Sequence, residues 1–203
     1  MEVIYLSYPL NPDKKIDPSA MAIGFFDGIH LGHQKVIETA IGNAREFGVK
    51  SSVMTFDPHP KQVIGNGAVS CNLLTSLEEK IKLLEKMGID IVYVVSFSSV
   101  LSKLSPEDFF HRFLAHLTPI CIAIGFDFTF GRYGAGSGQD LKRMAYNRFK
   151  VTIVPPINDI NGVKISSTLI RQYLKAGNLA AVNKYLGRNY VVAEEKVGDN
   201  IFA

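Results

Sequence analysis

Cysteine, charge imbalance and long apolar runs are all scarce in this chain, and each shortage removes a class of protein. There are two cysteines in 203 residues, Cys71 and Cys121. They lie far apart and form no Cys-x-x-Cys, so neither a disulfide framework nor a zinc pattern is indicated, and Cys121, inside an apolar run, reads as an inert core thiol. Lysine and arginine number 22 against 19 acidic residues, a formal charge of +3. That balance suits a protein handling anionic small molecules and leaves no footprint for nucleic acid, so no DNA partner is expected. No uninterrupted apolar stretch approaches a membrane span, and the N-terminus lacks a charged segment followed by a secretory apolar core. A reducing cytoplasmic setting is expected, with no membrane partner. Internal repeats are absent, and the only low-complexity patches, Gly65 to Ala68 and Gly131 to Gly138, are expected to be mobile loops.

A composition that is 47% hydrophobic can bury a sizeable core, as one domain or as one domain with a small appendage. Apolar, β-branched runs at Val3 to Leu6, Met21 to Phe25, Ser52 to Phe56, Ile89 to Phe97, Ile120 to Gly125 and Val151 to Val154 are strand candidates. Helical patterns fall between them. In Ser76 to Met87, Leu77, Ile81 and Leu84 repeat at helical spacing and Ser76 with Glu79 can form a capping box. A further helix is expected from Ser105, with Pro106 at its first position and Asp108 completing the cap. Strands alternating with helices predict an α/β fold, a mostly parallel sheet covered on both faces, whose ligands bind outside the carboxyl ends of the strands. After Ser166 two short helices, broken by Gly177 and Asn178, are expected to cap the sheet. The division expected is an α/β domain over 1–164, a helical segment over 165–188 and a tail over 189–203.

The segment Gly24 to His33 reads Gly-Phe-Phe-Asp-Gly-Ile-His-Leu-Gly-His at a predicted strand-to-helix junction. Glycine permits close backbone approach, helix-opening N–H groups favour anions, and histidine donates hydrogen bonds or carries charge near neutral pH, which together suit a phosphate group. A helical metal site is the rival for His30 and His33, since residues three apart share a face, but no third ligand is apparent nearby and no metal ligand is assigned.

Three other stretches leave predicted strands or open helices. Ile165 to Arg171 places Ser166, Ser167 and Thr168 at the mouth of a helix with Arg171 one turn on, able to cap the helix or hold phosphate oxygens. Phe56 to Pro60 presents Asp57 and His59 between prolines that hold the chain away from helix. Gly125 to Gly131 offers three phenylalanines around Asp127, rings that belong to the core or stack on a heterocycle. The glycines from 131 to 138 do not make a nucleotide loop, because Ser137 stands where a Walker lysine belongs. They read as a flexible lid or turn, with Arg132 a phosphate contact. His111 and His116, five apart on a helix, read as exposed or packed, and Lys142, Arg143, Arg148 and Lys150 as a solvated face.

The first segment resembles the nucleotidyltransferase signature Gly-x-Phe-Asp-Gly-x-His-x-Gly-His, with Gly24, Phe26, Asp27, Gly28, His30, Gly32 and His33 at its fixed positions. Ile165 to Arg171 resembles the second signature of that superfamily. Thr55 to Pro60, Leu74 to Lys80, Gly125 to Gly131 and Leu186 to Arg188 extend the resemblance, over about residues 15 to 190, to the FAD synthetase domain of the bacterial riboflavin kinase/FAD synthetase family. A Rossmann-like nucleotidyltransferase fold follows, with transfer of AMP from ATP to FMN and with Mg²⁺ accompanying ATP. The resemblance implies catalytic roles for His30, His33, Asp27 and Arg171, and ATP contacts from Gly24, Phe25, Phe26, Gly28, Gly32, Ser166, Ser167, Thr168 and Arg171. It implies flavin contacts from Phe56, Asp57, Pro58, His59, Gly125, Asp127, Phe128, Phe130 and Arg132. Asp27 would orient the glycine loop or the metal shell. No Pro-Thr-Ala-Asn-like kinase motif is present, so riboflavin kinase activity is not expected. The alternatives are the same scaffold acting on another phosphorylated acceptor, or a non-catalytic flavin or nucleotide sensor.

Overall fold

The computed structural model describes residues 1–11, 16–60, 63 and 72–190. Its strands are β1 (Glu2–Leu6), β2 (Ser19–Ile23), β3 (Lys50–Asp57), β4 (Ile91–Ser96), β5 (Pro119–Gly125), β6 (Thr129–Phe130), β7 (Gly136–Ser137) and β8 (Lys150–Val154). Six of them form a parallel sheet in the order β1-β4-β3-β2-β5-β8. All five residues of β2 are buried, as expected of a central strand covered on both faces. The helices are α1 (Leu31–Phe47), α2 (Leu77–Lys86), α3 (Pro106–Arg112), α4 (Gly138–Met144), α5 (Ser167–Lys175) and α6 (Leu179–Leu186). Ser76 accepts the Glu79 amide and Ser105 accepts the Asp108 amide, so both expected N-termini stand where the hydroxyls put them.

On one face of the sheet Val36, Ile37 and Ala40 of α1 and Leu84 of α2 pack on Val53, Val92 and Ala123. On the other, Phe109 and Phe110 of α3, with Phe113 and Leu141, cover Met54, Tyr93, Ile122 and Ile124. Phe110 and Phe113 have no exposed surface, and burying a ring of this size stabilises by about 1.5–3 kcal/mol. From β2 the chain winds outward through α1, β3, α2 and β4, then crosses to β5 on the other side of β2. The carboxyl ends of β2 and β5 therefore flank a topological switch point, where an open α/β sheet leaves a crevice.

One expectation fails. The flexible-lid reading of Gly131 to Gly138 gives way to its alternative, a turn: β6 and β7 pair as an antiparallel hairpin around Arg132–Gly134, and Ser137 and Asp140 close a capping box that starts α4. Gly131 has φ +73°, and a Cβ there would lie 2.7 Å from the Pro106 nitrogen. Glycine serves here for close approach to α3 rather than for mobility. The expected loop at Gly65 to Ala68, Cys71 and residues 191–203 of the expected tail lie outside the described residues. Cys121 is fully buried, and burial pushes its thiol pKa up to about 11, as an inert core thiol requires. The C-terminal helices break at Gly177 and Asn178 and pack Ile170, Val182, Tyr185 and Leu186 with Leu74 and Ile165. Among the described residues no helix is long and apolar enough to cross a membrane.

Candidate active site

Strand β2 ends at Ile23, and the loop that follows folds back tightly. Phe26 (φ +55°) and Ile29 (φ +39°) sit in the left-handed region, as does Gly28 (φ +79°). A non-glycine residue held there costs about 1–3 kcal/mol, so the surroundings must hold the loop. They do so from four directions. Asp27 Oδ1 accepts the amides of Leu74 (2.8 Å) and Thr75 (3.3 Å). Its Oδ2 pairs with the Arg171 guanidinium. The Gly28 amide donates to Thr75 Oγ1 at 3.1 Å, and Gln34 donates to the Ile29 carbonyl at 2.9 Å. Arg188 donates to the Gly28 carbonyl at 2.8 Å, and Ser167 Oγ to the Asp27 carbonyl at 2.9 Å.

This cradle delivers His30 as the N-cap of α1, its Nδ1 accepting the His33 amide at 3.3 Å. The two imidazoles stack, centroids 3.6 Å apart and planes 19° from parallel. Gly32 makes room: a Cβ there would come within 3.1 Å of the His30 ring. Burial, reinforced by the Lys164 ammonium, lowers the His30 pKa to about 4. Burial also holds His33 well below its ordinary value, with His30, Lys80 and Lys164 adding to the effect. Both rings are thus neutral at pH 7 in the ligand-free protein, hydrogen-bond donors rather than the cations that their type alone permits. His33 Nδ1 is buried with no hydrogen-bond partner among the described residues.

The rings open on a pocket of about 310 Å³, walled by the start of α1, the ends of β5 and β8, and the N-terminus of α5. Among the residues singled out from the sequence, the pocket gathers His30, Gly32, His33, Gly125, Asp127, Ser166, Ser167 and Thr168. The N-terminal amides of α5 lie at this wall, a geometry that favours anions. Ser166 caps that helix by accepting the Leu169 amide. Arg171 is not in the lining: it donates to the Asn72 carbonyl at 2.8 Å and pairs with Asp27, so its contact is with the glycine loop and not with the pocket. Asp27 likewise has both carboxylate oxygens engaged by protein groups, the contacts of a residue that orients the glycine loop. Burial nonetheless raises its pKa, against the pull of Arg171 and the two amides. Among the described residues no group of three or more His, Cys, Asp or Glu is placed to hold a metal ion.

A second cavity, of about 250 Å³, lies beyond the end of β3 and is lined largely by rings: Phe56, Phe97, Phe109, Phe128 and Phe130. It unites three of the residues expected on the flavin side, Phe56, Phe128 and Phe130, the last two stacked at 5.8 Å. Gly125 and Asp127, expected with them, line the first pocket instead, because they leave β5 beside β2. Arg132 is in neither lining and lies 4.8 Å over the exposed Tyr133 ring. Asp57 closes β3 and Pro58 and His59 follow it, with His59 against Phe25 at 4.0 Å. Gly24, Phe25 and Phe26 form the loop behind the histidines, Phe26 meeting the His33 ring edge-on at 5.4 Å.

Sequence reasoning assigned no role to Lys80, Lys164 or Arg188. Lys164 Nζ bonds Asp127 at 2.6 Å on the pocket wall, two residues before the hydroxyl cluster. Lys80 and Arg188 close the strings Leu74 to Lys80 and Leu186 to Arg188, which carried the resemblance without a role attached. That position was the one available signal.

A family model for FAD synthetase matches residues 13–169. A bifunctional riboflavin kinase/FMN adenylyltransferase of Listeria monocytogenes is 42% identical over 94% of this chain and 60% of that protein. The Bacillus subtilis protein of that name is 38% identical over 95% of this chain and 61% of its own length. This chain thus spans about three fifths of those relatives. A Listeria monocytogenes FAD synthetase is 30% identical, matched over 95% of this chain and 77% of that protein. A crystal structure described as a macrolide-efflux protein from Streptococcus pneumoniae superposes with a TM-score of 0.78 at 32% identity, over 92% of this chain and 62% of that one. A Thermus thermophilus pantothenate synthetase, at 15% identity and a TM-score of 0.52 over 92% of this chain and 81% of that one, shares the fold. With the family model matching most of its length, the chain belongs to the FAD synthetase family.

Proposed function

We propose that the protein is an FMN adenylyltransferase: it transfers AMP from ATP to FMN, releasing FAD and pyrophosphate. The observation that carries this reading is the pairing of a histidine-lined, helix-capped pocket with a phenylalanine-lined cavity at neighbouring strand ends. The first suits a polyphosphate and the second a flat heterocycle. FMN carries a phosphate monoester whose second ionisation lies at about 6, judged from phosphorylated side chains, so it is largely dianionic at pH 7 and needs no general base. One of its oxygens attacks the α-phosphorus of ATP, a P–O bond forms, the α–β bridging bond breaks and pyrophosphate departs. Positioning and screening of charge supply the acceleration.

His30 and His33 donate N–H bonds to the α-phosphate as charge builds on it, and the bound polyanion raises their pKa values. Ser166, Ser167, Thr168 and the α5 amides hold the departing pyrophosphate, with Lys164 turning to it from Asp127. Mg²⁺ accompanying ATP would supply further screening of the polyphosphate charge beside Ser166, Ser167 and Thr168. Arg171 acts through Asp27, fixing the loop that carries the histidines. ATP and FMN are the small-molecule partners, and the cytoplasm is the setting. Incubation with MgATP and, in turn, FMN, pantetheine phosphate, nicotinate mononucleotide and glycerol phosphate tests the assignment. FAD from FMN, with nothing from the other acceptors or from riboflavin, is the expected result; turnover of another acceptor in preference would refute it.

A further inference from the structure

Lys80 is 3% exposed, and nothing local repays its burial. It lies in the first turn of α2, where the helix dipole disfavours a cation, and an ammonium withdrawn from water is costly unless hydrogen-bonded. Its partners come from elsewhere. Nζ donates to the Phe25 carbonyl at 2.7 Å and to Thr55 Oγ1 at 3.2 Å, and stands 4.0 Å over the Phe25 ring. Thr55 Oγ1 itself donates to the Phe25 carbonyl at 3.0 Å, closing a triangle. Burial lowers the Lys80 pKa to about 8 against the opposing pull of Asp27 and Asp57, so the head is charged at pH 7.

The triangle ties together two segments that serve different cavities. Phe25 opens the loop that carries His30 and His33, and Thr55 precedes Phe56 on the wall of the aromatic cavity. Resting on the function proposed above, we propose that Lys80 is a positioning residue for AMP transfer, fixing the nucleotide loop against the acceptor side through the Phe25 carbonyl and the Thr55 hydroxyl. Loss of that tie misaligns bound reactants without removing the groups that bind them, so it acts on turnover more than on affinity.

The test compares Lys80→Met, Thr55→Val and the double variant in steady-state FAD synthesis. Methionine keeps the stem volume, so the packing around position 80 is retained, but without the ammonium the Thr55–Phe25 bond alone does not hold the loop. Expected is a kcat loss of about tenfold or more in K80M with both KM values within about threefold, a smaller loss in T55V, and a double variant no worse than K80M. A kcat within about twofold of wild type, a loss confined to KM, or losses that multiply in the double variant would overturn the proposal. A second readout does not depend on the reaction: loss of the Phe25 tie displaces the loop that carries the stacked imidazoles, so the His30 and His33 ring resonances move in K80M by NMR. Unmoved resonances overturn the role of Lys80 even if FAD is made. Absence of FAD from the wild type refutes the reaction instead.

Discussion

His30 and His33 are stacked face to face, and His30 Nδ1 accepts the backbone amide of His33. An imidazole nitrogen that accepts is unprotonated, so the proton of neutral His30 sits on Nε2. His30 thereby keeps its N–H donor at Nε2. His33→Ala removes one preorganised donor, and turnover is expected to fall by about 10² or more, with a smaller change in KM for ATP. Steady-state kinetics check this, and near-normal turnover would contradict it.

Stability carries the same signature. The folded pKa of His30, about 4, lies below the ordinary value of 6.5, so between those limits the unfolded chain binds a proton that the folded chain refuses. Stability is full above about pH 6.5, falls as pH drops, and levels below about 4, a loss of up to about 3 kcal/mol. His30→Asn keeps an acceptor for the His33 amide and removes the titration. Urea denaturation across that range should give a flatter profile for the variant. Asp90, Asp140 and Asp159, whose lowered pKa values add an acid-side slope, are common to both proteins and drop out of the comparison.

Asp27 and Arg171 should behave as one unit. Asp27→Ala abandons the Leu74 and Thr75 amides as well as the guanidinium, so it should cost more stability than Arg171→Ala. A double-mutant cycle in urea is expected to show a coupling of about 1–3 kcal/mol. Additive losses would separate the two residues and return Arg171 to an independent role.

The α/β alternation, the strand ends and the two segments that meet at the histidine pocket were legible because each depends on residues close in sequence: Ser105 with Asp108, Gly24 to His33, Ser166 to Thr168. What was not legible depends on residues brought together by the fold. Lys80 meets Phe25 across 55 positions, Lys164 meets Asp127 across 37, and Arg188 meets Gly28 across 160. A phosphate role for Arg171 comes only from its match to the second signature, whereas its contact with Asp27, 144 positions away, is visible only in the fold. Glycine content misled at Gly131 to Gly138, where the missing Cβ admits Pro106 and does not confer mobility.

The aromatic cavity carries a separable prediction. Phe128 lines it and stacks on Phe130, away from the histidine pocket. Phe128→Ala should raise KM for FMN by about tenfold, the loss of one ring contact, and leave KM for ATP nearly unchanged. Equal rises in both would contradict the division of labour between the cavities.

Label partitioning tests the central claim, attack at the α-phosphorus beside His30 and His33, most directly. Wild-type protein is incubated with FMN and MgATP carrying ³²P at either the α or the γ position, and flavin and phosphate products are separated. The α label should appear in FAD and the γ label in pyrophosphate, both signals collapsing in His33→Ala. Recovery of γ label in the flavin fraction, or of no labelled flavin at all, would contradict the account.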